Sequence, residues 1–384
     1  MNRIPKVAVI LESSHQTARS MIMGILDYVR EHGPWDLRLM PGGGRDLYIP
    51  SPEVWPGDGI IARIPSDRTA RDIVASGLPT VLIDPQDAYL EATSPLARFS
   101  SVSCDSIAVG NMAADWFLGL GYTSFAFVGS LPARDWAIRR RKAFAARLAG
   151  FKCAAYNIRR HAVEAGRPSL ERWLGRLAHG TALFAENDEI AREVLNAAME
   201  AGLRVPDDLA VLGVNDDPLT CETSLPKLSS IRRDTRRAGY VAAKLLARHM
   251  RNPHAERRMA FFRPLEIVER QSAGIVHAED PLVADAMKLV YELGANGVRV
   301  TEIAAHLGVT VRTLEHHMVV SGISLKNEIA RRRLAAVDKL VRSSSLPLAE
   351  IARRCGFATV PYFSTVYRRT FGVTPGTARN CSTR

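Results

Sequence analysis

Between Ala349 and Pro375 the chain reads AEIARRCGFATVPYFSTVYRRTFGVTP, with arginine pairs at 353/354 and 368/369 on either side of a block of rings. Guanidinium groups bind carboxylate or phosphate oxygens through paired, charge-assisted N–H bonds, and along a helix they can grip a phosphate backbone. A second stretch, VTEIAAHLGVTVRTLEHHM (300–318), repeats the layout. Each opens with a short helix, EIAAHL or EIARRC, and continues with a glycine, Gly308 or Gly356, where a helix C-terminus needs a left-handed residue. A threonine, Thr310 or Thr359, then stands at N-cap spacing ahead of a second helix. This is helix-turn-helix spacing, in which the second helix enters the major groove of DNA. Generic helical hairpins share a single match, whereas two matches within about 100 residues of basic sequence point to DNA.

The charge distribution points the same way. Of the net charge of +11, the residues from Pro281 onward contribute 15 Lys/Arg against 7 Asp/Glu, while the preceding 280 residues hold 36 against 33. A concentrated basic module on a nearly neutral body is the footprint of a nucleic-acid binder; a solvated basic face without a partner is the competing reading. A length of 384 residues exceeds one hydrophobic core and implies two or three domains. The five cysteines (Cys104, Cys153, Cys221, Cys355, Cys381) are scattered without a CxxC pair. A disulfide framework and a zinc finger are therefore not expected, and a reducing compartment is. The start, MNRIPKVAVILESSHQ, has an apolar run too short for a secretory signal, and no stretch reaches bilayer-spanning length. A cytoplasmic protein with no membrane partner is expected.

No catalytic residue, cofactor or metal is expected. GGGRD (42–46) lacks the GxGxxG spacing after a strand, no GxxxxGK[ST] loop occurs, and no nucleophile–base arrangement can be assigned. An enzyme with doubly wound lobes, such as a dehydrogenase or kinase, is disfavoured on that ground.

The elements that must position these residues fall into two regions. Up to about residue 275, apolar runs alternate with amphipathic stretches: KVAVILE (6–12), DGIIARI, PTVLIDP, FSSVSCD, SFAFVGS, TALFAEND and LAVLGVND read as strands. Helical patterns at about 17–31, 107–121, 136–150 and 189–203 separate several of them. Such alternation predicts parallel sheets covered by helices, and roughly ten strands suit two lobes. The expected fold is a two-lobed α/β domain over 1–275, a linker at 276–284, and an all-α domain with two helix-turn-helix units over 285–384. Between those units, ISLKNEIARRRLAAVDKLVRSS places Ile329, Leu334, Val337 and Val341 at helical spacing. About 20 helical residues make a rod of about 30 Å, close to the ~34 Å between successive major-groove faces.

With IARRCGF…YFSTVYRRTFGVTP in place (351–375), the C-terminal region over roughly 285–379 resembles the AraC/XylS family of transcription regulators. The resemblance implies Val360, Pro361, Ser364 and Thr365 at base edges and Arg368 and Arg369 on phosphates. Val311, Arg312, Thr313 and His316 are the matching positions of the first unit. Phe363, Val366 and Tyr367 fall on the opposite helical face and are expected to pack inward with Phe371. Arg353 and Arg354 suit a solvated face as well as phosphate, and Cys355 reads as a small apolar core residue.

The two-lobed region resembles the effector-binding core of LacI/GalR regulators and periplasmic sugar-binding proteins. Reading and sensing modules stand in the opposite order from the LacI type, an arrangement similar to xylose-operon regulators. This implies a sugar effector, xylose or a related aldose, bound by Asp105, Trp136, Arg140, Asn187, Asp188, Asn215 and Asp216. Planar carboxylate, amide and guanidinium groups suit paired hydroxyls, and a ring suits the apolar face of a sugar. Asp105, Asp188 and Asp216 also suit helix N-caps, and Arg140 a surface ion pair. LESSHQTAR departs from the amide-rich run of the related regulators, which makes Glu12, Ser13, Ser14 and His15 contacts of altered chemistry; His15 equally suits a solvent-exposed loop. The implied partners are double-stranded promoter DNA, a small sugar, a second copy of the chain and, for an activator, RNA polymerase. A repressor answering to a non-sugar metabolite is the alternative.

Overall fold

The computed structural model describes residues 3–39, 56–159, 163–274, 280–321 and 323–382. They divide into two compact units, Met1–Ala273 and Gly274–Arg384. The GGGRD segment lies outside the described residues.

The strands of the first unit are β1 (Lys6–Ile10), β2 (Asp36–Leu39), β3 (Gly59–Ala62), β4 (Thr80–Ile83), β5 (Ser100–Cys104), β6 (Ser124–Leu131), β7 (Lys152–Arg159), β8 (Thr181–Ala185), β9 (Leu209–Val214), β10 (Ser229–Arg233), β11 (Met259–Phe262) and β12 (Pro264–Val268). Its helices are α1 (Gln16–His32), α2 (Asp67–Ser76), α3 (Ser106–Gly119), α4 (Asp135–Arg147), α5 (Val163–Leu174), α6 (Asp188–Glu200), α7 (Pro218–Thr223) and α8 (Thr235–Arg251). Two six-stranded sheets result, ordered β11-β5-β4-β3-β1-β2 and β12-β10-β9-β8-β6-β7. The first is parallel throughout, and the second has one antiparallel pair, β10 with β12. Central strands are covered on both faces, which is why GIIA, TVLI, TALFA and LAVLGV are buried at every residue.

All seven expected strands form. Five others escape the apolar pattern for a physical reason. β2, β7, β11 and β12 are sheet edges with exposed residues, and β10 reads SSIRR, whose serines are buried.

The chain passes between the sheets three times, near Asp105, Asp234 and Arg263. Asp105 N–H donates to the Phe262 carbonyl (2.8 Å) and Asp234 N–H to the Arg263 carbonyl (3.1 Å), so the passages lie side by side. Helices α1 and α8 cross backbone to backbone at two glycines. A Cβ on Gly24 would sit 1.8 Å from the Arg236 carbonyl oxygen, and one on Gly239 1.9 Å from that of Met21.

The second unit consists of α9 (Pro281–Leu293), α10 (Val300–His306), α11 (Val311–Val320), α12 (Leu325–Ser343), α13 (Leu348–Arg354), α14 (Val360–Phe371) and α15 (Pro375–Ser382). Of the expected linker, 276–279 lie outside the described residues. Residues 281–284 correct it: they already form the first turn of α9, capped by the Asp280 carboxylate. Pro281 suits that turn because its missing N–H would have no intrahelical acceptor there. The core of the C-terminal half packs Val337 and Val341 of α12 against Ile351, Cys355, Phe357, Phe363 and Tyr367. Among the described residues, no helix is long and apolar enough to cross a membrane.

Candidate functional site

Loops at the carboxyl ends of both sheets of the first unit meet. His15, after β1, lies 3.2 Å from Glu189 at the start of α6. The Gln16 N–H donates to Asp217 after β9 (3.3 Å), and the Asp87 N–H to Asp135 after β6 (2.8 Å). Open α/β sheets place ligands at these strand ends.

Each expected residue has a definite place there. Glu12 and Ser13 are half-buried and Ser14 is exposed. Their turn is held by Arg19, whose Nη1 donates to the carbonyls of Ser13 (2.9 Å) and Ser14 (2.6 Å). The His15 imidazole sits between Glu189 and Glu12 (3.6 Å). The hydrogen bond to Glu189, with the charge of both carboxylates, outweighs burial and raises its pKa, favouring the imidazolium. Asp105 is an N-cap, accepting from the Ala108 N–H (2.9 Å) at the first passage between lobes.

Arg140 is not on the surface. It is 2% exposed, donates to the Glu186 carbonyl (2.5 Å) and the Cys104 sulfur (3.8 Å), and lies 4.6 Å from the Trp136 ring centroid. Asn187, rather than Asp188, caps α6 by accepting from Ile190 N–H (2.9 Å). Asp188 is 1% exposed and accepts from Ser230 Oγ (2.5 Å) and the Asp217 N–H (2.8 Å). Burial pushes its pKa up to about 6. Asp217, rather than Asp216, caps α7.

Asn215 and Asp216 both have positive φ, 126° and 51°. Such residues cluster at functional sites and cost on the order of 1–3 kcal/mol each unless their surroundings hold them. The holders are present. Arg233 Nη2 donates to Asn215 Oδ1 (2.6 Å), while Arg232 and Arg270 each bind the Asp216 carboxylate at 2.8 Å. Asp188 and Asp216, expected at sugar hydroxyls, therefore have their carboxylates engaged by protein donors and shape the loop.

Four residues escaped the sequence reading. Asp84 (φ 43°) ends β4 and accepts from the Cys104 N–H (2.7 Å) and from Arg63 (2.9 Å), which follows β3. The strand-end rule, applied to IIAR and VLID, finds both. Glu186 follows β8 and accepts from Ser130 N–H (3.0 Å) and Oγ (2.6 Å). Arg233 gives no such signal, because polar SSIRR does not read as a strand.

The second unit carries the other site. Gly308 (φ 66°) and Gly356 (φ 69°) adopt the left-handed turn, and Thr310 and Thr359 cap α11 and α14 by accepting from Thr313 N–H (3.1 Å) and Tyr362 N–H (3.3 Å). Pro361 lies in the first turn of α14. Leu314 and Met318 face the core of the first unit pair, and Phe363 and Tyr367 that of the second. This leaves Arg312, Thr313, His316, Pro361, Thr365, Arg368 and Arg369 exposed, with Val311 and Ser364 half-buried and Val360 37% exposed. Arg353 and Arg354 are ion-paired to Glu350 (2.8 and 2.7 Å), whose carboxyl they hold down at about 2. Arg312, Arg368 and Arg369 make no ion pair among the described residues. Helix α12, with 19 residues, is a rod of about 28 Å between the two units. A groove of about 500 Å³ beside it, lined by Val298, Ile329, Leu334, Phe357 and Val366 among others, is the seam between those units and unrelated to the cleft chemistry.

Residues 114–273 match the periplasmic binding protein-like domain, and residues 303–380 a helix-turn-helix domain. The chain thus carries the two modules of a DNA-binding transcription regulator, a periplasmic-binding-protein-like domain ahead of a helix-turn-helix domain. More particularly, it is 25% identical over 389 residues to the xylose operon regulatory protein of Haemophilus influenzae, covering 98% of each chain. It is 25% identical to that of Escherichia coli K12, covering 96% of this chain and 95% of the relative. Its fold matches a solved xylose-binding transcription activator, xylR, with a TM-score of 0.65 and 24% identity over 99% of both chains.

Proposed function

We propose that this protein is a cytoplasmic, sugar-responsive regulator that activates transcription from double-stranded promoter DNA. Residues 1–275 bind the effector between the lobes, and residues 285–384 read DNA through α11 and α14. The observation that carries the DNA reading is the repeated, capped helix-turn-helix pair, whose exposed faces carry Arg312, Arg368 and Arg369 without an ion pair among the described residues. The effector reading rests on polar strand-end groups converging from both lobes and on the names of the full-length relatives, which point to xylose or a related aldose. Glu12, Ser13, His15, Trp136, Arg140, Asn187 and Asn215 contact the sugar, while Asp105, Asp188 and Asp216 hold the surrounding backbone. A second copy of the chain occupies the second half-site, and RNA polymerase is the partner of the activating complex.

Band-shift titration of the full chain on promoter DNA, with and without xylose, arabinose, ribose and galactose, tests this. DNA affinity or band mobility changes with at least one sugar. Affinity and mobility unchanged by all of them overturn the sugar reading, and a response only to non-sugar metabolites favours the repressor alternative.

A further inference from the structure

The last residues of the first unit are fastened to the strands that end in the Asn215–Asp216 loop. Arg270 binds the Asp216 carboxylate (2.8 Å), and its N–H donates to Ser229 Oγ (2.8 Å). Ser272 Oγ donates to the Val211 carbonyl of β9 (2.7 Å) and accepts from the Ser229 N–H of β10 (2.8 Å). The Val211 N–H donates in return to the Ser272 carbonyl (2.7 Å), and the Gln271 and Ser272 N–H groups donate to the Lys227 carbonyl (3.0 and 2.9 Å). Ser272 and Ala273 are fully buried. A shift of the loop after β9 is therefore passed, bond by bond, to Ala273.

The second unit begins at Gly274. The Gly274 carbonyl accepts from the Arg332 guanidinium of α12, which also lies 4.2 Å from the Tyr291 ring centroid of α9. At Asp280 the two carboxylate oxygens have separate partners. Oδ1 caps α9, accepting from the Leu282 N–H (2.9 Å), and Oδ2 lies 2.5 Å from His317 Nδ1 of α11. Arg332 and His317 are half-buried, unlike the exposed Arg312 and His316 of the reader face. Helix α11 is the first reader, and α12 is the rod that sets its distance from the second. The chain thus enters the second unit bonded to both elements on which reader placement depends. A guanidinium stacked on a ring and a carboxylate shared by a helix end and an imidazole are directional contacts, suited to passing on a displacement.

We propose that Arg332, together with the Asp280–His317 pair, couples occupancy of the cleft to the placement of the reader helices. They are positioning residues, needed for one unit to answer the other and not for either to bind its own ligand. This rests on the two-module regulator reading above and names the contacts that carry its signal. Linkage makes the coupling reciprocal: what the effector does to DNA affinity, DNA does to effector affinity, so the first unit must respond to DNA.

The test is hydrogen–deuterium exchange of the full chain, free and bound to a duplex that it has selected from a random-sequence pool. DNA changes the exchange rates of the Val211, Ser229, Gln271 and Ser272 amides by about 5-fold or more, the lower end of ordinary coupling between sites. Arg332→Gln loses that change while binding the duplex as the parent does. Arg332→Lys, which keeps the charge without the forked donor, retains part of it. Asp280→Asn, which still caps α9 but gives up the charge beside His317, reduces it. Thermal melts verify folding, and if Arg332→Gln does not melt cooperatively the same criterion falls on Asp280→Asn. No DNA-dependent change at these amides in the parent overturns the proposal, and so does a change left intact in folded Arg332→Gln. Loss of DNA affinity in folded Arg332→Gln overturns it as well, because Arg332 then serves the reader itself. A parent that shows the change yet answers to no sugar in band shifts overturns the sugar reading and leaves the coupling standing.

Discussion

Asp188→Asn separates charge from shape at the buried end of the cleft. The Asp188 carboxyl is 1% exposed, and burial raises its pKa from 3.8 to about 6 despite the Ser230 and Asp217 donors. A carboxyl whose folded pKa is raised contributes stability that is fully present below the unfolded pKa and is lost as pH rises through the folded one. The full loss is about 3 kcal/mol, from a shift of roughly two units at 1.36 kcal/mol each. Between about pH 5 and about pH 8 the remaining part of that loss is on the order of 1 kcal/mol. Asparagine does not titrate and escapes this loss, but its one amide oxygen can accept from only one of Ser230 Oγ and the Asp217 N–H, a constant cost of about 1–3 kcal/mol. Urea unfolding of both proteins across that pH range therefore shows the variant gaining on the parent by about 1 kcal/mol, about 2–4 °C in melting temperature for a unit of this size. Parallel stability curves would refute the assignment of Asp188 as a charge held in the interior.

Phe363→Ala removes a fully buried ring from the core between α12 and α14 and lowers stability by about 3–5 kcal/mol, visible as loss of DNA binding while the first unit still melts cooperatively. Arg368→Ala weakens binding alike on all sequences and lowers the slope of log affinity against log salt by about 0.9. Thr365 hydrogen-bonds its hydroxyl back to the Pro361 carbonyl (3.0 Å), leaving its methyl for the groove, so Thr365→Ala changes preference at one base pair by about 1 kcal/mol in a sequence-selection assay. Gly110→Ala places a methyl 2.5 Å from the Arg140 carbonyl and displaces α4; melting temperature falls by the equivalent of about 1–3 kcal/mol and effector affinity falls with it in titration calorimetry.

Much of this molecule could be read from local pattern. The central strands are long apolar runs because both faces are covered, and the reader helices announce themselves by glycine turns, threonine caps and Pro361 in a first turn. Edge strands such as β7 and β12, half open to solvent, carry no comparable pattern. The cluster of polar groups at the strand ends was legible in outline because those ends are marked by Asp, Asn and Arg, but the partner of each group was not. Whether Asp105 or Asp188 caps a helix depends on a one-residue difference in where the helix starts, and the cap falls on Asp105 in one case and Asn187 in the other.

The sequence by itself determined two modules, their order, the faces of α11 and α14, and the concentration of charge on the reader. Those properties follow from short-range spacing and composition. The tertiary structure decided which charges are free. Arg353 and Arg354 are neutralised by Glu350, three and four residues away along the same helix, whereas Asp216 is held by Arg232 and Arg270 from other strands and loops. Arg140 on α4 reaches the Cys104 sulfur at the end of β5 because the two sheets are joined by neighbouring passages. Pairing and desolvation are properties of distance in space, which spacing along the sequence does not report.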